Sequence, residues 1–457
     1  MQRVLRDLSA ALGCIVALSL ICLITAIAQA DQSSAFGFGV TAGVCFIIAA
    51  LMRALGSKNG DVGRIHAAAA TLTVWVMTPG LCALAFMIAE DVSFSRAVWE
   101  ATSNLSTTGL FFVAPDDRTA PMLLWRAGLH VLGCAFGIAA VSVALNAFRL
   151  SRADEPGAYF RAVVADDPLQ SARRVAVSCL QILGVVVLFG AFFFGLFGAS
   201  AVEAVAVASA AATSGFILPM DAEWANPFTL LLLIVLFLIS ASSFATHAEC
   251  FRDGVRPYLD NPDSVWIVAA ALGASVLVFV FADIDLFAAL AGGAGMASGA
   301  WTEGVSLEAS PFLLTLAGVF AFLGGSRLSS TGGVKIARVR AALRGVRVEV
   351  SRSAFRDSVA GDTTTVQETL AAWTHVFAFL VLIGVAAGAL SAFGFEAPDA
   401  LRLAIGATAN FGPMVQDLSL YDMPDSSLGW VLSVCMVFGK LEIVLVLAAT
   451  RPGFWRR

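Results

Sequence analysis

The sequence predicts an all-α polytopic membrane protein: two N-terminal helices, then four repeats of span, short helix, glycine turn and span, about ten spans in all. Three observations predict it. Of 457 residues, 59% are hydrophobic and 13% charged, whereas soluble domains carry about 25% charged residues. Apolar runs of membrane length recur at 9–30, 36–55, 66–89, 120–148, 174–199, 226–246, 264–289, 311–345 (interrupted), 370–394 and 427–449. Between them, on one side, stand four shorter apolar segments, each ending on a glycine turn.

Residues 1–62 hold the two N-terminal transmembrane helices. Arg3 and Arg6 precede the first apolar run, and Ala28-Gln-Ala30 precedes Asp31, a pattern shared with secretory leaders. The run approaches 20 residues, enough to span, so a retained helix is the favoured reading over a cleaved signal. The rest divides into 63–165 (pore repeat 1), 166–260 (pore repeat 2), 261–357 (pore repeat 3, with a broken gate helix) and 358–457 (pore repeat 4). Twenty-two of the 28 Lys and Arg residues lie at the two termini or in 53–64, 149–174, 252–256 and 335–356, which are alternate connections. By the positive-inside rule that side is cytoplasmic, and so are both termini. Arg96, Arg118 and Arg402 mark the opposite side, while Arg126, Arg327 and Lys440 fall within or at the edge of spans.

The short segments are Ala97–Ser106, Ala201–Ala212, Leu290–Trp301 and Ala400–Ala409. Each is too short to span and reads as a re-entrant helix. Each is followed by a tetrad: Thr107-Thr108-Gly109-Leu110, Thr213-Ser214-Gly215-Phe216, Thr302-Glu303-Gly304-Val305 and Asn410-Phe411-Gly412-Pro413. The second residue before each glycine carries a side-chain oxygen. One such tetrad is commonplace in an alanine-rich membrane protein; four on the same side form a repeat. A cation sheds its water in a narrow pore, and inward backbone carbonyls can replace that shell. Glycine permits the dihedrals this needs, and short helices aimed at the cavity add the partial negative charge of their C-termini. The tetrads are thus the candidate selectivity filter for a dehydrated cation, and no motif calls for a bound cofactor.

The apolar run 311–323 stops at Gly324-Gly325-Ser326-Arg327-Leu328-Ser329-Ser330-Thr331-Gly332-Gly333-Val334-Lys335 and resumes as a basic helix pattern from Ile336. Non-helical backbone at membrane depth is tolerated where protein buries it or where it lines a water-filled cavity. The stretch lies halfway down the second helix of repeat 3, and the other three second helices are expected to lack such a break.

These features resemble the Trk/Ktr/HKT superfamily of potassium transporters, in particular the bacterial Trk-type membrane subunit. The likeness rests on Leu123-Leu-Trp-Arg126, the four tetrads, Ser243-Phe-Ala-Thr-His247, the 324–335 stretch, Asn410-Phe-Gly-Pro413, Gly439-Lys-Leu-Glu442 and Phe454-Trp455. It covers nearly the whole chain. The resemblance implies four M1–P–M2 pore-loop repeats around one central pore in a single chain in the bacterial inner membrane, with potassium as transported substrate, gated by an intramembrane loop formed by Gly324, Gly325, Ser329, Ser330, Thr331, Gly332 and Gly333. It also implies a homodimer contacting membrane lipid and a cytosolic nucleotide-binding regulatory subunit of the Trk-A type. Nucleic acid is not an expected partner. The sequence departs from the family pattern at Glu303, at Lys440 (usually Arg) and at Gly133-Cys134 (commonly a glycine pair).

Glu303 reads either as a cation attractor at the pore mouth or as a hydrogen-bonding group behind the filter. If it reduces discrimination, the alternative function is a less selective potassium/sodium conductance or a non-conducting regulatory relative. Lys440, a cation inside the membrane, needs a partner or water. It either pairs with an acid such as Glu442 or contacts carbonyls of the 324–333 loop and latches the gate; the second reading is preferred. Lys335, Arg338, Arg340, Arg344 and Arg347 read as cytoplasmic anchors. Asp116, Asp117, Asp221, Asp417, Asp422 and Asp425 follow the filter turns and either concentrate cations at the mouth or are solvated loop acids. The eight cysteines are scattered and read as buried thiols, and the four histidines do not cluster. No catalytic pair stands in a recognisable motif, so an enzyme is not expected. A carrier with inverted repeats is excluded because all four repeats run the same way.

Overall fold

The computed structural model describes residues 2–57, 62–111, 119–148, 167–215, 226–300, 307, 310–355, 363–415, 428–441 and 443. Regular structure among these residues is helical throughout. Helices α1 (Gln2–Ala28) and α2 (Gln32–Leu55) form a hairpin, its turn held by the Asp31 carboxylate accepting from the Ser34 amide at 3.0 Å. Helix α1 is a packed element of the bundle. Leu12, Ile15, Cys22 and Ala26 are fully buried, and Arg3 pairs with Asp167.

A unit of long helix, short helix and further helix then recurs. It comprises α3 (Arg64–Ala89), α4 (Phe94–Leu105) and α5 (Ala120–Phe148); then α6 (Pro168–Leu196), α7 (Ala201–Ala212), α8 (Pro227–Ala241) and α9 (Phe244–Asp253). A short α10 (Arg256–Asp260) leads to α11 (Pro262–Ala282), α12 (Leu286–Ser298), α13 (Pro311–Leu323) and α14 (Ile336–Phe355). The last unit is α15 (Thr363–Ala392), α16 (Ala397–Thr408), a 3-10 turn at Gly412–Met414, and α17 (Leu428–Lys440). The short helices start where a polar side chain caps the backbone: Ser93 for α4, Ser200 with Glu203 in a capping box for α7, and Asp285 for α12.

Packing closes these units into a ring. Each short helix lies against the second helix of the preceding unit: α7 on α5, α12 on α8, α16 on α13, and α4 on α17. The last contact joins the end of the chain to its first unit. Small residues make this close packing possible; α7 is mostly alanine, and α12 buries Ala289, Ala291, Gly292, Gly293, Ala294 and Gly295. The ring's outer face is apolar, with Ile24, Val76, Leu188, Phe192 and Val385 exposed on long helices, as lipid contact demands.

Seven described helices are long and apolar enough to cross a membrane, eight if the bent pair α8 and α9 counts as one span. Two of the ten expected spans are of another make: that of repeat 3 is split into α13 and α14, and that of repeat 4 is described only to Lys440 and at Leu441 and Ile443. Two expectations are corrected. Helix α12 runs over Leu286–Ser298, not Leu290–Trp301. And repeat 3 is not alone in having a broken second helix: α8 and α9 meet at 110° across Ser242-Ser243. Their reciprocal hydrogen bonds, described next, supply the physical reason.

Candidate filter and gate

The four short helices end alike. The residue in left-handed conformation is Thr107 (φ 60°), Ser214 (φ 58°), Gly299 (φ 74°) and Asn410 (φ 53°). The next amide reaches back five residues: Thr108 to Ser103 O at 2.9 Å, and Gly215 to Ala210 O, Ala300 to Gly295 O and Phe411 to Gly406 O, each at 2.8 Å. This is the 6→1 bond of a left-handed helix cap. Three of the four cap residues are not glycine, and an L-residue here costs roughly 1–2 kcal/mol. Strain repeated at equivalent positions marks a backbone held for a purpose.

The turn of the third unit was missed in the sequence. Its left-handed residue is Gly299, whereas the tetrad Thr302, Glu303, Gly304 begins four residues after the helix ends and lies outside the described residues. Between repeats 1 and 4 the strands touch: a Cβ on Gly412 would lie 2.2 Å from Thr108 O. Behind the turns, several side-chain donors are committed to protein partners. Asn410 Nδ2 donates to Thr108 Oγ1 at 3.1 Å and to Met436 O at 3.0 Å, and Thr213 Oγ1 donates to Ser209 O at 2.7 Å. Asn410 Oδ1 is buried without a hydrogen-bond partner among the described residues, so it stands beside the main-chain carbonyls as an oxygen open to a cation. Asp116, Asp117, Asp221, Asp417, Asp422, Asp425, Glu442, Phe454 and Trp455 also lie outside the described residues.

Directly beneath lies the 324–335 loop, locked into the break of the neighbouring helix. Ser326 N donates to Ala241 O at 2.9 Å, Ser330 N to Ser240 O at 3.2 Å, and Phe244 N to Leu328 O at 3.0 Å. Each interruption strands backbone groups that would cost several kcal/mol in hydrocarbon, and each satisfies the other's. Within the loop Gly325 N donates to Thr331 Oγ1 at 2.8 Å. Gly332 must be glycine on geometric grounds, since a Cβ would stand 1.7 Å from Ala409 O at the base of the fourth turn. Ser330 is the tip: its Oγ lies 2.8 Å from Ser214 Oγ and donates to Ser240 O at 2.9 Å.

Two lysines hold the loop. Lys440, expected as a latch, is buried with its ammonium donating to Ser330 O and, at 2.7 Å, to Thr107 Oγ1. Its stem crosses Gly137 of α5, where a Cβ would be 3.1 Å away. Lys335 is not the exposed anchor the charge pattern suggested. It is buried at 7% exposure and donates into the loop, to Thr331 O, to Ser329 O at 3.4 Å, and to Ser329 Oγ and Thr331 Oγ1, both at 3.3 Å. Arg338 contacts Val334 O and His375, Arg340 pairs with Asp263, and Arg344 and Arg347 are exposed. Arg327 is partly buried.

A second ionic cluster fixes the first short helix. Buried Arg126 donates from Nε to Glu100 Oε1 at 2.8 Å and from Nη2 to Glu90 Oε2 at 2.8 Å, and its guanidinium lies 5.0 Å from the Phe86 ring centre. Glu100 belongs to α4, so the arginine joins that helix to α3 and α5.

The chain matches no protein-family model. It is 25% identical over 421 residues to the Trk system potassium uptake protein TrkH of Vibrio parahaemolyticus, covering 84% of each chain. It is 25% identical over 427 residues to the Trk system potassium uptake protein TrkI of Halomonas elongata (85% of this chain, 83% of that one), and 27% identical over 412 residues to the TrkH of the same organism (81% of each). The crystal structure of the potassium transporter TrkH from Vibrio parahaemolyticus superposes with a TM-score of 0.83 at 22% identity, over 100% of this chain and 99% of that one. These relatives bear out the resemblance read from the motifs, and the solved structure bears out the all-helical, polytopic membrane fold.

Proposed function

We propose that this relative of the Trk potassium-uptake proteins is a transporter, not an enzyme, and carries potassium across the bacterial inner membrane through a four-strand filter gated by the 324–335 loop. One observation carries the reading: four short helices close into a ring, and their left-handed turns stand directly above a loop whose tip, Ser330, is held by Lys440 and Ser214. The filter strands begin at Thr107-Thr108-Gly109, Ser214-Gly215, Gly299-Ala300 and Asn410-Phe411-Gly412, and their carbonyls replace the ion's water. With Gly299 as the third turn, Glu303 comes four residues later, which supports its reading as a cation attractor at the pore mouth. That weakens the alternative of an unselective or silent pore.

In the mechanism, the helix C-termini lower the energy of a dehydrated cation at the filter. The loop with Lys440 blocks its exit, sterically and by like charge, and opening needs the loop to withdraw from Ser214 and Ala409 and Lys440 to release Ser330. Both termini face the cytoplasm in this reading, following the charge asymmetry. The basic face of α14, with Arg344 and Arg347 exposed, supports a cytosolic nucleotide-binding Trk-A-type subunit as partner; the homodimer rests on the resemblance. Rubidium uptake by potassium-deficient cells expressing the protein tests the function, with Gly109→Ser as filter control. Uptake above the empty-vector level, lost in the control, supports it; no uptake from protein present in the membrane rejects it.

A further inference from the structure

We propose that the Lys335 ammonium occupies a monovalent-cation site built into the gate loop, and that emptying this site is a step in opening the pore. The inference rests on the gate reading above and adds a residue to it. The carbonyls of Ser329, Ser330 and Thr331 are three in succession, and all accept from a lysine: Ser330 O from Lys440, Ser329 O and Thr331 O from Lys335. The Ser329 and Thr331 hydroxyls, 2.8 Å apart, complete four oxygens around the Lys335 nitrogen. Such a cage of carbonyls and hydroxyls is how a filter holds a dehydrated cation.

Two further facts separate this from a surface anchor. A charged lysine is almost never so buried unless its donors are satisfied, and here the loop's own oxygens satisfy them. Lys335 also sits at φ 76°, a left-handed conformation unfavourable for a non-glycine residue. Such strain persists only where surrounding contacts over-determine it. The ammonium bonds and the bond from Ile336 N to Gly325 O at 2.9 Å supply those contacts. With both lysines seated, the loop tip is clamped from two sides. Losing the Lys335 side frees residues 329 and 331, which flank the tip.

The test is rubidium flux into proteoliposomes holding the purified full-length protein and no partner. Hydrogen bonds to charged groups contribute about 1.5–3 kcal/mol, and 1.4 kcal/mol is tenfold. Lys335→Met is therefore expected to raise resting flux about tenfold or more at an unchanged potassium-to-sodium ratio. Lys335→Arg should behave like Lys335→Met, because a planar guanidinium does not fit a cage made for a compact point charge. Methylammonium added to Lys335→Ala should lower its flux toward the wild-type level and leave wild-type flux alone, since a free cation then refills the cage. Wild-type resting flux in Lys335→Met, or an equal effect of methylammonium on wild type and variant, overturns the proposal. Should the lysine variants not fold, Ser329→Ala/Thr331→Val keeps the lysine and removes two of its acceptors, and unchanged flux in that variant overturns it equally. Lys440→Ala separates the two levels. If it leaks while Lys335→Met does not, only the cage fails; if neither leaks, the gate reading itself fails.

Discussion

The Lys440 ammonium donates at 2.7 Å to the hydroxyl of Thr107, 333 positions away in the sequence, while also holding the carbonyl of Ser330. One side chain thus ties the last unit to the short-helix turn of the first and to the 324–335 loop of the third. A charge-assisted bond of about 1.5–3 kcal/mol biases the closed state about tenfold or more. Lys440→Ala is expected to raise resting flux by that factor, and Lys440→Arg by much less; stopped-flow rubidium flux reads both.

Ser214 and Ser330 lie 2.8 Å apart where the second short-helix turn meets the tip of the 324–335 loop, the proposed filter and gate. Ser214→Ala and Ser330→Ala should each increase resting flux, and the double variant should fall short of their product. The expected coupling is about 1 kcal/mol, some fivefold in flux. Strict multiplicativity would show that the two hydroxyls do not act together.

Gly299 and Gly304 are the two rival positions for the proposed third filter turn. Gly299→Ala places a Cβ at φ 74° and should lower the potassium-to-sodium uptake ratio. Gly304→Ala should leave that ratio near wild type. The reverse outcome restores the filter to the 302–304 tetrad.

Arg126 compensates two carboxylates, Glu90 and Glu100, in a buried site. Breaking a buried pair by removing one partner costs about 3–5 kcal/mol. Arg126→Met should therefore unfold at clearly lower temperature in detergent and accumulate poorly. Arg126→Met with Glu100→Gln should recover part of that loss, which a thermal melt of the purified variants checks.

Most of the ring was legible because it rests on two simple signals. Long apolar runs mark the spans, and residues between them too few to cross mark the short helices. The contact of Lys440 with the 324–335 loop was legible because a cation in a 13-residue apolar helix must find oxygens. Gly299 was not: α12 ends in mostly small residues, among which Ser298 carries the one polar side chain, and a glycine after it looks like one more packing residue. The break at Ser242-Ser243 was hidden for a related reason, since small hydroxyl residues also sit comfortably inside a membrane helix. It becomes necessary only once the 324–335 loop needs partners for its amides and carbonyls. Lys335 was read with the basic helix it precedes, because a run of positive charge predicts a side of the membrane and says nothing about which member turns inward.

The most direct measurement is potassium and sodium flux through purified wild-type protein and Lys440→Ala in matched proteoliposomes. Wild type is predicted to pass potassium faster than sodium, and Lys440→Ala to pass both about tenfold faster with the ratio kept. No potassium flux from either protein, or identical flux from both, would contradict a potassium pore latched by Lys440.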